Sequence, residues 1–329
     1  MLALSRSDVQ RLVPMPEAIE LMKIAFAELS AGRTNSPLRI NIPVTGVRGD
    51  SLYMPGYVPA LGALGLKVVS VFYDNPKLGL PVINAMVTLV DAETGVPMAI
   101  MDGTYLTALR TGAISGAATD LLARKDAKTL VAVGAGAQGA TQIAAVCAVR
   151  PIERIIAVDV FPESLERLKG ILARDWPNVV SRMEYSTDAN AAVAQADVVC
   201  TATTSKTPVF DFAAIRPGTH INAVGSYTPE MQELPSDLVV NATLVVDATE
   251  AALHESGDLI IPLNQGLVAR EHFTVELGML VNGDKPGRTS NDEVTLFKTV
   301  GNAVQDVVVA RRAYDKAIAD GSGVSFDLS

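Results

Sequence analysis

TLVAVGAGAQGATQIAAVCAV, residues 129–149, opens as a short apolar run rich in β-branched residues, crosses a glycine-rich turn, and continues as an alanine-rich helix. Thr129 to Val133 suits a buried strand. Gly134, Gly136 and Gly139 stand at GxGxxG spacing, with Ala137 and Gln138 between the last two. Such glycines permit a tight turn, a close approach of backbone to a pyrophosphate, and close packing of helix on strand. The free amides at the helix start then hold the phosphates. A GxGxxG string alone is weak evidence, because any glycine-rich turn can match it. Here a second apolar run, Ile155 to Val158, follows and ends in Asp159, so strand, turn, helix, strand and terminal acid agree. A carboxylate at Asp159 accepts from a ribose 2'-hydroxyl and repels a 2'-phosphate, and Val160, Phe161 and Pro162 bring no arginine to offset it. NAD(H) is the expected cofactor, with NADP(H) second.

The β/α rhythm continues beyond this unit. Pro162 to Arg174 has helical spacing, Asp188 to Gln195 reads as a short helix, and Asp197–Thr201, His220–Gly225 and Thr243–Asp247 read as strands. Ligands of open parallel sheets bind beyond the carboxyl ends of strands, so Thr203, Ser226 and Tyr227 are expected beside a nicotinamide. The first 118 residues differ. They hold an amphipathic helix from Met15 to Gly32, loops rich in Pro, Gly and Arg, and strands near Ser51–Met54, Ala63–Tyr73 and Val82–Asp91. The expected fold class is α/β: a Rossmann-type dinucleotide-binding domain over 119–299, plus an α+β substrate-binding and dimerisation domain over 1–118 to which 300–329 returns.

Composition narrows the partners. Of 329 residues 49% are hydrophobic and 19% charged, and no apolar run reaches the roughly 18 residues of a membrane helix; Leu80 to Val90 is broken by Asn84 and Thr88. The N-terminus MLALSRSDVQ lacks the features of a secretory signal, so a cytoplasmic enzyme is expected. Net charge is −9, with 27 basic and 36 acidic residues and no basic stripe, which argues against nucleic acid. Cys147 and Cys200 are distant and without CxxC partners, and His220, His254 and His272 are scattered, so no metal is expected.

Three cations in the first domain stand out. Lys67 lies in LGALGLKVVSVF, where an unpaired ammonium is costly to bury. Arg110 lies in YLTALRTGAISGAA and Arg39 in SPLRINIP. Singly, Lys67 reads equally as a snorkelling side chain, Arg39 as a surface charge and Arg110 as a brace at a domain junction. Jointly they point to an anionic ligand, since arginine forks grip carboxylates and a desolvated lysine holds an anion or shuttles a proton.

Asp102-Gly103, TALRTGAISGAA, the GAGAQ turn, INAVGSYTPEMQEL and TLFKTVGNAVQD, in this order through nearly the whole chain, resemble the ornithine cyclodeaminase and mu-crystallin family. The resemblance implies a homodimer joined through the first domain. It implies that Arg39, Lys67 and Arg110 hold a substrate carboxylate, that Ala137, Gln138, Asp159 and Thr203 contact the cofactor, and that Thr299 and Val300 lie at nicotinamide and substrate. Gly134, Gly136, Gly139, Arg110 with Thr111, and Val224 with Gly225 complete the expected cofactor set. Val82 replaces a family threonine that touches the cofactor, so that contact is not expected.

Members of the family differ in reaction, and the loop VGSYTPE, residues 224–230, bears on which one applies. Cyclodeaminases carry an aspartate where this chain has Tyr227. A phenol, with a pKa near 10, is neutral at pH 7 and cannot take a proton from an ammonium as a carboxylate does. Deamination of ornithine and oxidation of alanine are therefore disfavoured. A cyclic imine asks for less, because its C=N bond exists and needs a carboxylate clamp, a hydride and a dry pocket. The loop resembles the Δ1-pyrroline-2-carboxylate reductase branch. The expected reaction is reduction of that imine to L-proline, or of Δ1-piperideine-2-carboxylate to L-pipecolate, with Lys67, Tyr227 and Ser226 as catalytic candidates. The alternatives are a cyclodeaminase or alanine dehydrogenase, and a non-catalytic binding protein like mu-crystallin.

Overall fold

The computed structural model describes residues 1–136 and 138–327. Contacts divide them into two compact units, Met1–Arg110 with Asn302–Ser329, and Thr111–Gly301. The division falls inside the helix Gly103–Leu122, just after Arg110.

The first unit is built on a seven-stranded sheet in the order Val324–Ser325, Leu2–Leu4, Pro97–Asp102, Ile83–Val90, Ala63–Phe72, Gly49–Val58, Ile40–Pro43. Its pairs are antiparallel except Leu2–Leu4 with Pro97–Asp102. Alternation of side chains along a strand gives the sheet two unlike faces. One row crosses four strands as Met54, Lys67, Val87 and Met101, and none of these is more than 3% exposed. The helix Ala303–Asp320 packs along the strands Ile83–Val90, Ala63–Phe72 and Gly49–Val58, and Ala303 joins Leu52, Met54, Val69 and Val71 in one apolar cluster. The helix Met15–Ser30 packs on Ala303–Asp320 in turn. It starts with Pro16 in its first turn, where the missing N–H costs nothing, and the chain turns at Gly32 with φ +68°.

The second unit is a seven-stranded sheet, all parallel, in the order Thr243–Val246, Thr295–Lys298, His220–Ala223, Val198–Thr201, Thr129–Val133, Arg154–Val158, Met183–Ser186. The chain starts at Thr129–Val133, moves outward in one direction to Met183–Ser186, then returns to the other side at Val198–Thr201. That reversal is a topological switch point, where the carboxyl ends of neighbouring strands open a crevice. Buried clusters cover both faces, one including Val131, Val199 and Leu296 and the other Leu130, Ile143 and Leu168. The expected strands of this unit therefore appear within one or two residues. Met183–Ser186 was not expected, and neither was Thr295–Lys298. The latter reads in sequence as an apolar lead into the final helix, yet it inserts as a strand between His220–Ala223 and Thr243–Val246. Among the described residues no helix is long and apolar enough to cross a membrane.

Candidate functional site

In the second unit the glycine loop leaves the strand Thr129–Val133 at the switch point. Gly134 has φ +103°, a region that L side chains rarely adopt, and an added Cβ would meet the Ala202 carbonyl oxygen at 2.6 Å. At Gly139, the first residue of the helix Gly139–Val149, a Cβ would lie 2.6 Å from the Gly134 carbonyl oxygen. At Gly136 it would meet nothing within 4 Å. Two glycines are thus demanded by packing, and the middle one fronts open space. Gln138 precedes the helix, and its buried Oε1 has no hydrogen-bond partner among the described residues. An open margin at Gly136 and the amides of a helix start fit the phosphates of a dinucleotide. Ala137 lies outside the described residues. Thr111 supports the loop's helix, since its carbonyl accepts from Gln142 Nε2 at 3.1 Å.

Asp159 ends the strand Arg154–Val158 and is half-buried. Its carboxylate accepts from the Ala135 N–H at 2.8 Å and the Phe161 N–H at 2.9 Å. It therefore fixes the glycine loop as well as presenting its charge. Thr203 and Gly225 follow Val198–Thr201 and His220–Ala223, and Val224 donates its N–H to the Thr201 carbonyl at 2.9 Å. A Cβ on Gly134 would also touch Thr203 Cγ2 at 3.0 Å, so Gly134 and Thr203 line one edge of the sheet with Val224 and Gly225 beside them.

Thr299 and Val300 leave the inserted strand at the same edge, and their anchor is a residue that sequence reasoning missed. Asp247, fully buried, accepts through Oδ2 from Thr299 Oγ1 at 2.6 Å, the Val300 N–H at 2.9 Å and the Gly301 N–H at 2.9 Å. Ser226 is fully buried and donates its hydroxyl to the Met231 carbonyl at 2.7 Å. That bond closes the turn Ser226–Met231, and it commits a hydroxyl expected to serve chemistry. Tyr227 is half-buried in the same turn. His220 belongs to the core, between Thr295 Oγ1 at 2.9 Å and Asn222 Oδ1 at 3.1 Å. Burial and the nearby Arg288 push its pKa down to about 3, so it stays neutral.

In the first unit the register turns Lys67 inward, and Lys67 is 0% exposed. Its Nζ lies 2.7 Å from Asp306 Oδ2, and Arg110 Nε lies 3.0 Å from Oδ1 of the same carboxylate. Arg110 also donates from an Nη to Gln305 Oε1 at 2.7 Å. Asp306 and Gln305 sit in the first turn of Ala303–Asp320, capped by Asn302, whose side chain accepts from the Val304 N–H at 3.0 Å. The helix start favours the carboxylate there. Beyond its ion pair, Lys67 Nζ has no hydrogen-bond partner among the described residues. Arg39 precedes the edge strand Ile40–Pro43, and its charge acts on Lys67. Burial first, then the repulsion of Arg110 and Arg39, pull the Lys67 pKa down to about 7 against the pull of Asp306. The geometry brings Lys67 and Arg110 together on one carboxylate, with an ammonium that has donors to spare. Neither Asp306 nor Gln305 was expected. Both stand in the quoted segment TVGNAVQD, but a Gln-Asp pair opening a helix reads as an ordinary N-terminal turn.

Val82 packs against the cluster of Leu52, Met54, Val69 and Val71.

The model of the ornithine cyclodeaminase/mu-crystallin family matches residues 1–321. A Δ1-pyrroline-2-carboxylate reductase of Bacillus cereus is 43% identical over 325 residues, covering 98% of each chain. The structure of the Thermococcus litoralis Δ1-pyrroline-2-carboxylate reductase in complex with NADH and L-proline superposes with a TM-score of 0.94 at 43% identity, over 99% of this chain and 100% of the other. An archaeal alanine dehydrogenase dimer with bound NAD superposes with a TM-score of 0.91 at 32% identity, over 100% and 99%. The chain is a member of the ornithine cyclodeaminase/mu-crystallin family.

Proposed function

We propose that this protein reduces a cyclic imine carboxylate, converting Δ1-pyrroline-2-carboxylate to L-proline with NADH preferred over NADPH, and accepting the six-membered Δ1-piperideine-2-carboxylate as a second substrate. One observation carries the reading: two buried cations, Lys67 and Arg110, share a single carboxylate, Asp306. Buried charges persist when paired, and this cluster retains a positive excess, with donors of Lys67 Nζ unfilled among the described residues. A substrate carboxylate supplies the missing charge. The identity to reductases named for this imine supports the choice of substrate.

The division of labour follows from the residues. Arg110 grips the carboxylate with its planar fork and Lys67 meets it as a point charge, with Arg39 adding to the field. The glycine loop and Asp159 hold the cofactor, which when bound supplies a hydride. The imine nitrogen enters protonated from solution, C2 gains the hydride, and the C=N π pair settles on nitrogen to give the secondary amine. Tyr227 offers the ring nitrogen or a water a neutral hydrogen-bond partner. No carboxylate stands at 227 to take a proton from an acyclic amine.

A homodimer belongs to the same reading. Across the outer face of the first sheet, the register aligns Ile40, Tyr53, Val68 and Met86, with Ile40 59% and Met86 42% exposed. Ile42, Leu38 and Leu80 are also exposed apolar residues of this unit. A second copy would cover such a patch. The same reading keeps the enzyme in the cytoplasm, with Cys147 and Cys200 as free thiols.

The direct test is NADH oxidation by purified protein given Δ1-pyrroline-2-carboxylate. A rate no higher than with pyruvate plus ammonia, or proline formed from ornithine and NAD, would overturn the reading.

Two further outcomes follow. The Lys67 ammonium is charged below its pKa of about 7 and neutral above it, so kcat/KM for the imine should fall as pH rises through about 7. The bound substrate carboxylate favours the ammonium, so the limb of kcat should lie at higher pH. In Lys67→Arg the charge is permanent, and an unchanged limb in that variant would exclude Lys67 as its source. At Asp159, Asn keeps an acceptor and removes the repulsion of a 2'-phosphate, which is worth about 1–3 kcal/mol near a protein surface. Asp159→Asn should raise the NADPH-to-NADH ratio of kcat/KM by roughly 5- to 150-fold, and an unchanged ratio would show that the carboxylate does not choose the cofactor.

A further inference from the structure

Behind the cofactor edge of the second unit lies a buried polar network that the proposed chemistry does not use. Glu233, Asp258 and Lys298 are all 0% exposed. Glu233 Oε1 accepts from the Thr203 N–H at 2.6 Å. Its Oε2 accepts from the Gly225 N–H at 2.6 Å and from Thr201 Oγ1 at 2.9 Å. The two oxygens of one carboxylate thus hold the loops that follow two neighbouring strands. Asp258 fixes the carboxylate's own backbone, accepting from the N–H groups of Glu233 at 2.7 Å and Leu234 at 3.0 Å, and Lys298 Nζ reaches Asp258 Oδ2 at 3.0 Å. Burial, and then the negative charge of Asp258, push the Glu233 pKa up, while three donors hold it in place.

The surroundings give this tie a direction. Thr203 and Gly225 are half-exposed, whereas every supporting side chain is buried, so the network stands behind the loops and leaves their outer margin free. Gly225 is required there, because a Cβ would meet Glu233 Oε1 at 2.5 Å and collide with the Thr203 carbonyl oxygen. The glycine loop touches the same edge through Gly134. Of the three strand ends gathered there, the one from Thr129–Val133 carries the phosphate-binding turn, and the other two carry the loops tied by Glu233.

We propose that Glu233 is a positioning residue for the nicotinamide end of the cofactor, setting the spacing of the Thr203 and Gly225 loops without contributing to the hold on the adenosine diphosphate end. The proposal rests on the reading of this unit as the NADH-binding one. A merely structural glutamate would weaken every ligand of the unit together. A positioning glutamate weakens only ligands that carry the nicotinamide.

The experiment compares binding of NADH with binding of ADP-ribose, which lacks the nicotinamide, to wild-type and Glu233→Gln protein by calorimetry or by NADH fluorescence and its displacement. The glutamine amide turns a donor toward one of the loop N–H groups and leaves it unpaired. The Kd for NADH should rise roughly 10- to 100-fold, with that for ADP-ribose changing by less than about twofold. Parallel weakening of both ligands, or no change in either, would overturn the proposal. Wild-type protein that bound neither ligand would remove the underlying cofactor reading as well. Should Glu233→Gln fail to fold, Thr201→Val decides the question, because it removes one hydroxyl donor while keeping the side-chain shape. The same selective loss is expected there at about threefold, and equal effects on both ligands would again refute it.

Discussion

Lys67→Ala is expected to lower kcat/KM for the cyclic imine by roughly 30- to 5000-fold, the equivalent of about 2–5 kcal/mol for truncating one partner of a buried charge contact. Lys67 is enclosed on the inner face of the first sheet, 2.7 Å from Asp306, and under the proposed function its unfilled donors meet the substrate carboxylate. With alanine in place, Asp306 keeps Arg110 at 3.0 Å as its ion-pair partner among the described residues, and the positive excess that attracts a second carboxylate is gone. The loss should be seen for every imine that carries a carboxylate, while the Kd for NADH stays within about twofold of the wild-type value, since Lys67 belongs to the first unit and the glycine loop and Asp159 to the second. A variant whose imine kinetics matched wild type would show that the ammonium does not meet the substrate.

Asp306→Asn should be the most destabilising of the polar substitutions in this cluster. Removing the shared carboxylate leaves Lys67 and Arg110 buried with like charge, and breaking such a pair costs about 3–5 kcal/mol, on the order of a 10 °C fall in Tm for a unit of this size. Its pH dependence has a definite sign. In the wild type the folded-state Lys67 pKa is about 7, against 10.5 for the ordinary value, so Lys67 is charged in the fold only below about 7. Without Asp306 the folded-state pKa drops further. The difference in stability between wild type and Asp306→Asn is therefore full on the acid side and shrinks as pH rises toward and past 7. Thermal melts of the two proteins from pH 5.5 to 9 read this directly. A gap that widened with pH would place the stabilising contact elsewhere.

The fold was legible to the extent that it is local. The glycine turn at 134–139, the β-branched run before it and the acid at 159 are neighbours in sequence, and each constrains the backbone on its own. The antiparallel strands near 63–73 and 82–91 were legible from apolar composition. The inserted strand Thr295–Lys298 was not, because its four residues read as an apolar lead into the final helix. Lys298 is tolerated there by Asp258, forty residues away in sequence. The same cause hid the supporting acids. Asp306 acquires its place because the register turns Lys67 inward beneath a helix that arrives from the far end of the chain. Asp247 and Glu233 are likewise defined by the loops they hold, at distances of 52 and 30 residues. Ser226 shows the opposite effect: a hydroxyl beside a strand end looked available for chemistry, and the turn to Met231 consumes it.

The most direct test of the central claim compares NADH oxidation with Δ1-pyrroline-2-carboxylate and with Δ1-pyrroline, the same ring without its carboxylate. If the buried cations grip that group, kcat/KM should be at least about a hundredfold higher for the carboxylate in wild-type protein, and the ratio should collapse toward one in Lys67→Ala. Equal rates for the two rings in the wild type would contradict the account.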